Sequence, residues 1–457
     1  GDDAVVASVK NGALGHLILN SEGVTTFVST VDAASLNTDV TGINASASGN
    51  KVVIQGGRIT TTGEQHYAEL LLLDNVNHGT ELNTHNSNVT FDKAIVNADS
   101  NLAQDLTINT GTGHVTFTGV VGEDAVVASV KNGALGDLLI NSEGITTFVS
   151  TVDAASLKTD VTGINASASG NKVIIQGGRI TTAGEQHFAE LVVLDNVHQS
   201  TVFTTSNSNV IFDAAIVNAN SNLPQNLTIN AGTGDVTFTG VVGEEGVLKN
   251  GALGMLVVNS GGITTFEQTV DAASVSTDAA GSVVMNGGRV TTSGSQTYAD
   301  PISLGLIQTL LKASSLSFDK ITAADAAAHL TLVSADALVL GTVELEGDLT
   351  VFTGAGGVTG GVSQVVGSWL DIKGDTNFVA DTKSNQVATL DQANRFGGSV
   401  SYLPMKVWDM TKPSNLGNWA DVQVTTNGSS LALGQTMAGS LAVQTLGGNI
   451  TQTGTLD

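Results

Sequence analysis

The chain of 457 residues has no cysteine, so disulfides cannot brace it and thiol redox chemistry is excluded. Proline occurs 4 times and aromatic residues make up 4%, so small and β-branched residues must fill most of any interior. That composition suits narrow, regularly stacked turns better than a globular core. Cations are scarce too. Lys and Arg total 17 against 42 Asp and Glu, a formal net charge of −25. Too few cations are present to release many counterions from nucleic acid, so a nucleic-acid partner is not expected. No apolar run approaches the roughly 20 residues a membrane-spanning helix requires. The start, GDDAVV, resembles no signal peptide and lacks an initiator Met, which suggests a piece of something longer or a processed form.

What the chain has is repetition. The segment from Gly1 returns almost unchanged from Gly122, and a more diverged copy starts at Gly243. NGALG recurs from Asn11, Asn132 and Asn250; GGRITT from Gly56 reappears from Gly177 and, as GGRVTT, from Gly287. In such arrays each unit buries its apolar face against its neighbours, so function is sought on a long surface rather than in one pocket.

Inside the first copy, short alternating segments at 17–20, 24–30, 51–54, 58–61, 88–91, 105–108 and 114–117 are divided by breakers such as SEG, GG and NTGTG. These read as strands and tight turns. Only AADAAAH, from Ala323 to His329, offers a helical candidate. An antiparallel string of sandwiches and a coil of stacked parallel strands both fit. The coil tolerates unequal turns and uses Thr and Asn ladders efficiently, and it would point Leu17, Leu19, Val24 and Phe27 inward. The expectation is therefore an all-β, right-handed parallel β-helix with a non-repetitive insertion toward the C-terminal part. Its parts would be repeats at 1–121 and 122–242, a partial third at 243–301, irregular turns at 302–353, an aromatic-rich insertion within 354–430, and further turns at 431–457.

DLTINTGTGHVTFTGVVG from Asp105, NLTINAGTGDVTFTGVVG from Asn226, the GGRITT run and GGNITQTG from Gly447 resemble the large secreted exoproteins of the filamentous haemagglutinin type. Those are two-partner or autotransporter adhesins of Gram-negative bacteria. The resemblance implies the right-handed β-helix, export to the cell surface or beyond, and a role in attachment, aggregation or biofilm matrix. Partners would be carbohydrate or protein of a host, a neighbouring cell or the matrix, or further copies of the chain. The family's amino-terminal secretion domain is not recognisable here.

Chemistry finds little support. His16, His78, His85 and His114 become Asp137, Gln199, Ser206 and Asp235 in the second copy, exchanges no zinc site survives. Only His66 is kept, as His187. No cofactor is expected, although Asp271 and Asp278 leave room for weak calcium binding. Arg58, Arg179 and Arg289 follow identical Gly-Gly pairs and would either align as an anion-binding track along one face or be held by neighbouring carboxylates. Trp369, Trp408 and Trp419, with Tyr402 and Arg395, are the candidates for contact with a ligand or partner. An enzyme is not expected. A polysaccharide-processing site, if present, would draw on Asp371, Lys373, Arg395, Lys406 and Asp409, and a filament or sheath subunit is the other alternative.

Overall fold

The computed structural model describes residues 12–39, 49–122, 133–161, 170–244, 251–323, 327–354, 361–380, 386–404 and 419–457. It divides into two compact units, one of residues 1–240 with 245–251, the other of residues 241–244 with 252–457. Each is a right-handed parallel β-helix, and among the described residues there is no helix. At the ends of AADAAAH, Ala323 and His329 belong to the strands Lys320–Ala323 and His329–Ser334, and 324–326 lie outside the described residues.

The first unit shows why this sequence coils. Triplets of the form apolar-Thr-aromatic, such as Val89–Phe91 and Val115–Phe117, turn residues one and three inward and Thr outward. One lap later the same pattern recurs, so Val89 pairs with Val115, Thr90 with Thr116 and Phe91 with Phe117. Tyr67, Phe91, Phe117 and Phe148 then stack with centroids 5.0 to 5.3 Å apart. A second ladder runs through Val52, Leu71, Ile95, Val121, Val152, Ile180, Phe203 and Ile229, all essentially buried. Burying such side chains contributes roughly 1.5–3 kcal/mol each against leaving them exposed.

Three glutamines enter this interior with their amide N–H groups bonded to backbone carbonyls. Gln65 and Gln186 are fully buried, and their Nε2 atoms donate to the carbonyls of Asn83 and Thr204, both at 2.9 Å. In the second unit Gln296 does the same to Lys312, at 2.8 Å.

Val24 corrects the expected inward set. It is 53% exposed while Phe27 is buried. Positions three apart in a regular strand point to opposite sides, so both could not face the core.

Following the pairing further shows that the sequence repeat is out of phase with the coil. From Arg58 the outward ladder runs through Glu81, Thr107, Leu139, Lys158, His187 and Ile211. His66 stands on another, which runs through Thr90, Thr116, Thr147, Ile174 and Val193. Thus His66 and His187, equivalent in sequence, occupy different ladders, because one repeat does not fill a whole number of laps.

In the second unit, the described strands of the block expected to leave the coil stay in it as far as residue 404. Gln386–Phe396 and Ser399–Pro404 are strands paired in parallel with their neighbours. Residues 405–418 lie outside the described residues.

Candidate surface contact around Trp369

Four strands of the second unit build the surface that carries Trp369: Lys320–Ala323, Thr342–Leu345, Leu370–Ile372 and Gln386–Phe396. Their inward rows are apolar, with Ile321, Val343 and Leu370 on one and Leu345, Ile372 and Phe396 on the next. Strand alternation therefore forces the residues between them outward, giving the row Thr322, Glu344, Asp371 and Arg395. Trp369 directly precedes Leu370 and falls on the outer side as well, 41% exposed.

The indole is held at two points. Its Nε1 donates to Glu344 Oε1 at 3.1 Å, and Lys320 Nζ lies 5.9 Å from the ring centroid. Lys320 also pairs with Glu344 Oε2 at 3.0 Å, so one carboxylate bridges the ring and the cation. Beside them Lys373 pairs with Asp371 at 2.6 Å. Each exposed pair contributes no more than about 1 kcal/mol. Together they fix a large amphipathic ring in one orientation, which lowers the entropy lost when a partner covers it. An open groove of about 270 Å³ is lined by Thr322, Glu344, Glu346, Asp371 and Lys373, among others.

The other candidates fall elsewhere. Tyr402 and Trp419 are fully buried, which corrects the expectation that they offer a contact. Tyr402 stacks on Phe378 at 5.1 Å and meets Trp419 edge-on at 5.8 Å. The register pairing Phe378 with Tyr402 puts both inward, and burial pushes the Tyr402 phenol pKa up. Arg395 is exposed at the end of the Glu344 row. Trp408, Lys406 and Asp409 lie outside the described residues.

Arg58 and Arg179 do not stand on one ladder. Arg58 and Arg179 belong to one unit, yet the ladder from Arg58 reaches His187 without passing through Arg179. Arg179 instead forks onto Asp153, at 2.9 and 3.1 Å, and donates to Thr181. Arg289 makes the same fork onto Asp271, at 3.0 and 2.9 Å. Arg58 is exposed and has no ion pair among the described residues. Of the two aspartates weighed for calcium, Asp271 is engaged by Arg289, and Asp278 accepts the Ser260 N–H at 3.0 Å. His66 and His187 sit on Asp92 and Asp213, at 2.9 and 2.8 Å, as exposed or half-buried pairs.

Sequence reasoning missed Glu344 and Lys320, which come from a stretch without landmarks. The outward parity of residues preceding LDI and following TV was the available signal.

A family model described as repeats of unknown function (DUF5649) matches residues 327–402, which include Glu344, Trp369, Asp371 and Arg395 but span well under half of the chain. No curated protein and no solved structure matches it.

Proposed function

We propose that this chain is part of an exported surface or matrix protein of the filamentous haemagglutinin type, with the parallel coil as a stiff support and the Trp369 face as a contact. The carrying observation is an exposed indole, fixed by Glu344 and Lys320, beside an outward row that carries Glu344, Asp371 and Arg395. Aromatic rings rimmed by polar groups suit carbohydrate or protein partners, and regular strands hold them in place without loop ordering. The partner would belong to a host, a neighbouring cell or the matrix.

The reading is non-enzymatic. Asp371 is engaged by Lys373 and Glu344 by Lys320, an arrangement that supports binding better than general acid catalysis. Trp369→Ala should leave the melting transition within a few degrees while cell or glycan binding drops at least tenfold. Unchanged binding by the folded variant removes the contact. Product release from an acidic glycan, abolished by Asp371→Asn, would replace adhesion with catalysis.

A further inference from the structure

Each repeat also carries a pair of buried or half-buried carboxylates that the Trp369 face does not use. In the first copy the pair is Asp39 and Glu69, in the second Asp160 and Glu190, in the third Asp278 and Asp300. The first two pairs are at least 96% buried at every member, with exposures of 4% and 1% in each copy. The third is looser, with Asp300 buried and Asp278 only half-buried.

The geometry recurs. In the first two pairs the Thr beside the Asp donates to the partner acid: Thr38 to Glu69 at 2.8 Å and Thr159 to Glu190 at 3.0 Å. The aspartates accept backbone N–H groups of Ser21, Ser142 and Ser260, at 2.6, 2.6 and 3.0 Å. Asp39 and Asp160 do so from left-handed backbone, at φ of 49° and 54°, a conformation that favours glycine. The side chain there offsets its steric cost by capping the serine.

Donors run out before acceptors do. Among the described residues, Asp39 Oδ2, Glu69 Oε1 and Glu190 Oε1 have no hydrogen-bond partner, while Asp160 Oδ2 accepts from Asn171 at 3.0 Å. Among the described residues, the charges acting on these groups are acidic: Asp39 on Glu69, Asp160 on Glu190, Glu143 on Asp160 and Asp278 on Asp300. No lysine, arginine or histidine is among them. Two buried carboxylates cannot both remain ionised under those conditions, and a proton satisfies a bare oxygen while removing the repulsion.

We propose that the acids Glu69, Glu190 and Asp300 each hold a proton in the folded chain, so that acid firms the repeat array and alkali loosens it. Burial and the partner's charge push Glu190 up to about 8, and burial pushes Asp160 up to about 6; Glu69 and Asp300 shift in the same direction. Because the folded state binds the proton more tightly than the unfolded chain, the contribution is full below the ordinary carboxylate range. It is lost as pH rises through the folded values, toward about 8 for Glu190.

The test compares the full chain with a Glu69→Gln, Glu190→Gln double variant, in which each Gln oxygen can still accept from its Thr. General self-repulsion of an acidic chain also varies with pH, so the readout is the difference between the two proteins. The wild-type melting temperature should fall more steeply than the variant's between about pH 5 and about pH 8. Equal slopes overturn the proposal. Infrared spectra of the wild type give a second readout that needs no variant: the carbonyl stretch of a protonated carboxylic acid should persist at neutral pH and vanish above about pH 9. Its absence from folded protein at about pH 6 overturns the proposal as well. Calcium chloride that raises the alkaline melting temperature of the wild type alone would assign the pairs to a cation instead.

Discussion

Phe91 lies flat on Phe117, with centroids 5.2 Å apart and planes 11° from parallel, because the strands carrying them pair in register one lap apart. Each ring is a floor for the next. Phe91→Ala therefore leaves a gap between Tyr67 and Phe117 and should cost about 3–5 kcal/mol, whereas Phe91→Leu should cost clearly less. Equilibrium denaturation of the two variants checks this, and equal losses would mean the stack adds nothing beyond apolar volume.

Gly177 predicts a sharper effect for a smaller change. A Cβ there would run into the backbone carbonyl of Ser150, and Gly56 and Gly287 stand in the same relation to Ser29 and Gln268. The neighbouring lap cannot yield without breaking its ladder. Gly177→Ala should destabilise by at least about 1–3 kcal/mol. Gly15→Ala, with no atom within 4 Å of the added carbon, should change the unfolding midpoint little. Comparable losses at both sites would show that close approach of laps is not what demands glycine.

The fork between Arg179 and Asp153 invites the opposite expectation. Arg179 is 41% exposed at its side chain, so solvent screens the pair despite its good geometry. A double-mutant cycle of Arg179→Ala and Asp153→Ala should return a coupling of about 1 kcal/mol or less, shrinking in high salt. A larger, salt-insensitive coupling would make the pair part of the core.

How much of this was legible beforehand depends on which property is asked of a residue. Short strands, tight turns and their parallel stacking follow from the alternation in VTF and RITT and from near-identical copies. Parity was also available: Val24 and Phe27 are three apart, and Tyr402 falls one lap from Phe378, so counting places Val24 outside and Tyr402 inside. Composition argued otherwise for Tyr402 and Trp419, since aromatic residues in an irregular stretch look like a binding surface.

Phase was harder to read. Whether Arg58 and Arg179 share a face depends on how many residues every intervening turn absorbs, and turns of unequal length hide that number. The buried acids carried a signal that went unread. Thr-Asp at 38–39, 159–160 and 277–278, followed by Ala-Glu or Ala-Asp at 68–69, 189–190 and 299–300, recurs in all three copies. A charged residue kept at a fixed distance from a buried aromatic has to be explained by the interior.

The parallel lap is the foundation of every argument above, and a chain without native cysteine allows a direct test of it. Thr116 and Thr147 are 31 positions apart yet face each other on adjacent strands. Neighbouring strands lie about 4.8 Å apart, within the range a disulfide spans. Thr116→Cys with Thr147→Cys should cross-link within one molecule under mild oxidation and leave the fold intact. Two thiols that stay free and separately reactive in the folded protein would contradict the coil.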